Sequence, residues 1–270
     1  MQTKHLNNNF LPCFMKIAHI SDIHCNFGTD FNEKIFEKAT SMLNKLDTDL
    51  VFISGDLTTD GLLSEYELAE EKLKKIKGKL AIVPGNHDER NLGWRLFPEF
   101  FGETDFIHTY DNITLIGLAS SEPDRDDGRL GRGRHKRIEE GIKKKKTTIL
   151  GFHHHVIPVP HSGRETNIIE DAGETLDIIL KNEVPLVLMG HRHVPWAVKI
   201  HKPLLVNAGT FSCNRTRAHF GNTFNIIDIE DDEIEVTVVN IRKEKENKMI
   251  EFNLSDGCCE NKYYDIDNRL

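Results

Sequence analysis

No apolar stretch in this chain approaches the roughly 18 uninterrupted residues of a membrane span, so nothing in it reads as a transmembrane helix. A basic start followed by an apolar block and a small-residue cleavage site is missing too, which leaves no secretory signal and makes the cytoplasm the expected location. The five cysteines, Cys13, Cys25, Cys213, Cys258 and Cys259, include no Cys-x-x-Cys pair. Neither a disulfide framework nor a structural zinc knuckle is indicated. Positive charge is outnumbered: a formal net charge of −8 gives no global attraction to nucleic acid or to an anionic membrane. No internal repeat and no Pro/Gly/Ser-rich linker divides the 270 residues, and a hydrophobic content of 38% suits one large α/β domain with a full core.

What is present is an alternation of short apolar runs and helical periods. Lys16 to Ile20, Asp49 to Ile53, Lys79 to Val83, Thr147 to Phe152 and Pro185 to Met189 read as strands. Between the first three, Phe31 to Leu46 and Ser64 to Ile76 carry apolar residues at helical spacing, and Gly131 to Lys146 and Ile168 to Lys181 read as later helices. After Gly190 the pattern changes. Trp196 to Ile200, Leu204 to Val206, Thr223 to Ile229 and Glu233 to Ile241 are short and β-branched, and predict a second, antiparallel sheet. A layered α/β fold over residues 15–245 follows, with a loose extension at 1–14 and a polar tail at 246–270.

Each of the five runs ends in side chains able to ligate a metal. The endings are Ser-Asp22-Ile-His24, Ser-Gly-Asp56, Pro-Gly-Asn86-His87-Asp88, His153-His154-His155 and Gly-His191-Arg-His193. In an α/β sheet the loops beyond the carboxyl ends of the strands share one edge, so five scattered clusters converge there. Asp22 and His24 are spaced to face one cation. Asp56, with two oxygens, is able to bridge two, which a histidine cannot do. Asn86 offers a neutral carbonyl oxygen, and alternate residues put His191 and His193 on one side of an extended segment. Taken singly these are ordinary loop residues, and Gly-Asn is common in turns.

In this order the five motifs resemble the calcineurin-like metallophosphoesterases, from Asp22 to His193, and Asn207-Ala-Gly209-Thr210 looks like part of that family's closing sheet. The resemblance implies a four-layer αββα sandwich of two mixed β-sheets flanked by helices, holding two divalent metal ions. Asp22, His24 and His193 would hold one and Asn86, His153 and His191 the other, with Asp56 between them. His154 is the alternative register for His153. Manganese, iron and zinc all suit such a nitrogen and oxygen set. A hydroxide bridging two cations would attack phosphorus in line, His87 would assist the leaving oxygen, and Asp88 would orient His87 and keep it protonated. Gly55 to Gly61 with Glu65-Tyr66 resembles the branch of class III cyclic-nucleotide phosphodiesterases, so the implied substrate is a small phosphodiester or monoester. Two other classes share these motifs or this fold: nucleases, which need a basic groove, and interaction proteins without turnover. Arg125, Arg129, Arg132 and Arg134 form a basic stretch that either reaches over the site or is simply solvated. Asn214, Arg215 and Arg217 follow a strand end near the metal edge and are candidates for substrate contact.

Overall fold

The computed structural model describes residues 14–142, 146–164, 167–230, 233–254 and the backbone of 259–261. Thirteen strands and five helices occupy them. β1 (Phe14–Ile20), β2 (Leu50–Ile53) and β3 (Leu80–Ile82) are parallel neighbours, and α1 (Glu33–Leu43) and α2 (Leu63–Leu73) make the crossovers. On the other side of β1, an antiparallel meander of β10 (Thr223–Glu230), β11 (Glu233–Asn240), β12 (Lys245–Asn253) and β13 (Cys259–Asn261) completes a seven-stranded sheet. The second sheet has six strands in the order β4-β5-β6-β7-β9-β8. Its parallel centre is β5 (Ile113–Gly117), β6 (Thr147–Gly151), β7 (Leu186–Met189) and β9 (Leu204–Asn207), edged by β4 (Phe106–Tyr110) and β8 (Trp196–Lys199).

The period-2 geometry of strands sorts the core into three layers. Ile17, Leu50 and Phe52 face Leu115, Ile149, Leu188 and Val206 between the sheets. Their neighbours Ala18, Ile20, Val51 and Ile53 point outward against Phe36, Ala39 and Leu43 of α1, Tyr66 and Ala69 of α2, and Phe97 of α3 (Gly93–Phe101). On the far side, α4 (Gly131–Gly141) and α5 (Ala172–Lys181) bury Ile138 and Ile179 against Ile116, Leu150, Val187 and Leu205. The result is the αββα sandwich. Strands covered on both faces have no polar face to show, which is why β2 (LVFI) and β7 (LVLM) read as unbroken apolar runs.

Several expectations are corrected. The four strands after Gly190 do not form one antiparallel sheet: β9 pairs parallel with β7, whereas β10 pairs antiparallel with β1. Local composition identifies a strand but not its partner. The stretch from 246 to 253, read as polar tail, is most of β12, which buries Met249, Ile250 and Phe252 among charged residues. Phe14 opens β1, while the rest of the expected extension, 1–13, and the tail beyond 261 lie outside the described residues. α4 stops at Gly141, and 143–145 of the expected longer helix are likewise outside them.

Candidate metal centre

All five motif loops leave the carboxyl ends of parallel strands: β1, β2 and β3 in one sheet, β6 and β7 in the other. Backbone hydrogen bonds run on past the strand ends. Asp22 N–H donates to the Gly55 carbonyl at 3.0 Å, His24 N–H to the Asp56 carbonyl at 3.0 Å, and Gly190 N–H to the His153 carbonyl at 2.9 Å. The loops then turn sharply. Asp22, His24, Asp56, His191 and His193 all have φ between 54° and 71°. Residues with a β-carbon rarely adopt this left-handed region, and strain there persists where surroundings over-determine it. Five of the seven expected ligands sharing it marks the edge as built for convergence.

The structure brings those seven side chains together in two groups. In one, His193 Nε2 lies 3.1 Å from both His24 Nε2 and Asp22 Oδ1. In the other, Asn86 Oδ1 lies 3.2 Å from His153 Nε2 and 3.0 Å from His191 Nδ1, and those two nitrogens are 3.2 Å apart. Asp56 Oδ2 faces both, 3.6 Å from His24 Nε2 and 3.3 Å from His153 Nε2. Loop packing this close demands glycine: a β-carbon on Gly55 would sit 2.6 Å from Gly85 N, and one on Gly85 would sit 2.1 Å from Asp56 Oδ1.

Hydrogen bonds behind the rings assign their protons. A carbonyl only accepts, so His153 Nδ1, 2.6 Å from the Ser54 carbonyl, and His193 Nδ1, 2.6 Å from the Arg215 carbonyl, both carry hydrogen. When these rings are neutral, their inner Nε2 atoms are lone pairs aimed at other acceptors. The Asn86 amide is fixed the same way, its Nδ2 donating to Asp126 Oδ1 at 3.1 Å and its oxygen turned inward. Around Asn86 Oδ1 and Asp56 Oδ2, buried acceptors facing acceptors are unfavourable unless a cation lies between them. In the other group Arg215 Nη2 donates to His24 Nδ1, which puts the neutral ring's proton on Nε2, facing His193 Nε2. Asp22 Oδ1 is indeed buried without a hydrogen-bond donor. The donor set, oxygen and imidazole nitrogen with a shared carboxylate, fits two divalent cations.

Electrostatics agree with that fit. Burial pushes His24 down to about 4 and His191 well below the usual histidine range, so both rings are neutral and able to ligate. Burial alone would raise Asp22 and Asp56, yet His193 beside the first and His153 beside the second hold both well below the usual carboxylate range. His153 is the exception. Burial works to lower it, but the Asp56 charge overrides this and holds the ring at about 9, a proton standing where a metal would bring its charge.

The neighbouring residues divide into those that join the cluster and those that do not. His154 turns away from it, Nδ1 to Ser120 Oγ at 2.9 Å and Nε2 to the Asp126 carbonyl at 3.1 Å. His87 lines the cavity over the cluster, with Nδ1 on the Thr59 carbonyl at 2.5 Å. Asp88 differs from the expectation: its carboxylate accepts from Thr58 N, Thr58 Oγ1 and Gly85 N at 2.8, 3.0 and 2.9 Å, bracing two loops rather than orienting the His87 ring. Two backbone N–H groups and a hydroxyl thus hold this carboxylate, and no hydrogen bond among the described residues joins it to the His87 ring. Of the two readings of the basic stretch, the structure favours the loop away from the site, since none of Arg125, Arg129, Arg132 and Arg134 lines the cavity. Arg125 is paired with Glu122 and Glu170, and Arg134 with Asp105. Arg90, Arg192, Arg215 and Arg217 line it instead, with Asp126 paired to Arg90. Asp126 carried no signal in the sequence, being one acid in a loop of several.

The sequence from 15 to 195 matches the family model described as calcineurin-like phosphoesterase. The chain belongs to that family. Membership makes it a metal-dependent phosphoric ester hydrolase. Among curated proteins it is 27% identical over 212 residues to the "Probable cyclic nucleotide phosphodiesterase" of Coxiella burnetii, covering 72% of this chain and 82% of that one. It is 30% identical over 196 residues to the "Probable glycerophosphodiester phosphodiesterase" of Arcobacter nitrofigilis, covering 66% and 72%. Among solved structures, purple acid phosphatase from yellow lupin (Lupinus luteus) seeds superposes with a TM-score of 0.69 at 14% identity, over 87% of this chain and 53% of that one. GAP50, the anchor in the inner membrane complex of Plasmodium, superposes with a TM-score of 0.68 at 13% identity, covering 93% and 91%. A phosphatase and an anchor thus share the fold, so side chains and not architecture carry the functional argument. Among the described residues no helix is long and apolar enough to cross a membrane.

Next to Asp88 in the chain, Glu89 is buried, and burial pushes its carboxyl from an ordinary 4.5 up to about 7. A raised carboxyl favours folding in its protonated form. That contribution is complete below pH 4.5 and is lost as pH rises through 7, by at most about 3 kcal/mol. Glu89→Gln is therefore expected to raise the melting temperature at pH 8–9 and change it little at pH 5, as followed by thermal unfolding. A lower melting temperature at pH 9 would mean that the carboxylate is ionised and paired.

Proposed function

We propose that this protein is a dinuclear metallohydrolase of small phosphodiesters. The observation that carries the reading is the pair of groups of metal-ligating side chains, Asp22/His24/His193 and Asn86/His153/His191, that share Asp56 on the floor of one cavity of about 520 Å³. That volume suits a single small ligand. Both relatives described above have small phosphodiesters in their printed names, which supports a diester over a monoester.

Each group would hold one divalent cation and Asp56 would contact both. Bound there, the cations supply Lewis acidity that activates water and offsets charge on the phosphoryl oxygens. The chain's own part is positioning and proton transfer. Carbonyls of Ser54 and Arg215 keep the ligand rings in the tautomer that presents Nε2. The Thr59 carbonyl does the same for His87, so its Nε2–H, when the ring is protonated, is the donor available to a leaving oxygen. The cavity's guanidinium groups favour an anionic substrate.

The test is a panel of substrates given to metal-stripped protein reconstituted with manganese, iron or zinc: an aryl phosphodiester, an aryl monoester, cyclic nucleotides and single-stranded DNA. Metal-dependent cleavage of the diesters that spares DNA is expected. Cleavage confined to DNA would assign a nuclease, and metal bound with no hydrolysis at all would point to a partner-binding role.

A further inference from the structure

The cavity has two cationic walls of different standing. Arg90 is neutralised, its Nη2 2.7 Å from Asp126 Oδ1 and its Nη1 3.7 Å from Asp60. Arg215 is tied to the metal cluster: its carbonyl takes the His193 ring proton, its Nη2 lies 3.3 Å from His24 Nδ1, and its Nε faces Asp30 at 3.4 Å. Arg217 is different. Its one hydrogen bond runs from Nη1 to the Ser162 carbonyl at 3.0 Å, and it has no carboxylate partner among the described residues. Among the described residues, four of its five N–H donors are therefore uncommitted. No hydrogen bond or ion pair among the described residues joins it to the seven clustered side chains, yet it lines the same cavity.

Its position is fixed from behind. The Ser162 carbonyl that holds Arg217 also takes Arg192 Nη2 at 3.1 Å, and the Ser162 hydroxyl donates to the Val159 carbonyl at 2.7 Å. Three residues after Arg217, Phe220 is buried with Val159 and Val194. The two loops that form this wall, around 159–163 and 215–220, are thus pinned to each other by an apolar contact and by a carbonyl shared between two guanidinium groups. A preorganised guanidinium loses little freedom on meeting an anion.

We infer that Arg217 is the anchor of a second anion subsite, and that the substrates are phosphodiesters carrying a further anionic group, such as a terminal phosphate, on the arm that reaches this wall. This rests on the phosphodiesterase reading above. The scissile phosphate belongs over the clustered donors, where Arg215 is the near cation; Arg217, held at Ser162, faces whatever extends away from it. Remote binding of that kind acts on KM more than on kcat, because the contact is made equally in the ground and transition states.

The test compares two chromogenic diesters, thymidine 5′-(p-nitrophenyl phosphate) and the same compound bearing a 3′-phosphate, with manganese-loaded enzyme. Hydrolysis of either adds water to phosphorus and releases p-nitrophenolate. Cleavage of the plain ester alone reports on the phosphodiesterase reading. The subsite is reported by the ratio of the two KM values, expected to favour the 3′-phosphorylated ester about tenfold at similar kcat, to collapse to about one in Arg217→Gln, and to persist in part in Arg217→Lys. Equal KM values in the wild-type protein, or a ratio that survives Arg217→Gln, would overturn the subsite while leaving the reaction standing. If neither ester is cleaved, calorimetric titration with thymidine 3′,5′-bisphosphate still decides: binding about tenfold weaker in Arg217→Gln supports the subsite, and equal binding removes it.

Discussion

Replacing His87 with alanine is expected to leave the metal content of the protein intact and to lower turnover by about 10²- to 10⁴-fold, the range for loss of a positioned general acid. The expectation rests on where the ring sits. It lines the cavity and comes within 4.8 Å of His24 and Asp56, but it is not one of the seven expected ligands, and its Nδ1 proton is spent on the Thr59 carbonyl. The loop should survive the change, because the His87 backbone N–H, which donates to Asp56 Oδ1 at 2.9 Å, remains. Leaving-group chemistry gives a second readout. An aryl oxide departs without much help, whereas an alkoxide needs a proton, so the loss should be larger for alkyl diesters than for nitrophenyl ones. Metal analysis and steady-state kinetics on both kinds of substrate check this. A uniform loss accompanied by missing metal would mean that His87 holds a cation instead, and unchanged turnover would discard any catalytic role.

The same loop shows how far a sequence can be read and where reading stops. Donor residues at strand ends were legible, because metal-binding side chains are few in kind and the fold puts strand ends at one edge. Asp22, His24, Asp56, Asn86, His153, His191 and His193 all arrive where that logic sends them. What fixes their tautomers was not legible. The proton acceptors are the carbonyls of Ser54, Thr59 and Arg215, and a carbonyl carries no residue identity. Asp88 shows the opposite error: a conspicuous side chain next to a functional one was given a functional role, when backbone N–H groups of neighbouring loops had already claimed it. Sheet membership failed for a related reason. β9 looks like β10 in composition, and only long-range pairing sends one beside β7 and the other beside β1. β12 was hidden because it opens on three exposed polar residues and its few buried ones, Met249, Ile250 and Phe252, do not follow a strict alternation.

Asp56→Asn is the sharpest test of the two-group arrangement. The substitution changes almost no volume, which matters where a β-carbon on Gly85 would lie 2.1 Å from Asp56 Oδ1. It also keeps an oxygen for the His87 backbone N–H, so the fold around the site is preserved. What it removes is the carboxylate charge whose Oδ2 lies 3.6 Å from His24 Nε2 and 3.3 Å from His153 Nε2. Metal stoichiometry is expected to fall from about two to one or less, and kcat/KM to fall by about 10²- to 10³-fold, the scale of losing one preorganised electrostatic group. The metal-free protein supplies an independent check. In the wild type, Asp56 holds His153 at about 9 against the pull of burial. With an amide there, burial acts with much less opposition, and the His153 ring should titrate at lower pH by NMR. The stabilisation that saturating metal confers, about 4 kcal/mol when metal exceeds its dissociation constant a thousandfold, should shrink in step with lost binding. Two metals bound with wild-type affinity would show that Asp56 is not shared. A single lost metal with His153 still protonated near pH 9 would place the missing charge elsewhere, with Asp22 as the remaining buried carboxylate in contact with the histidines.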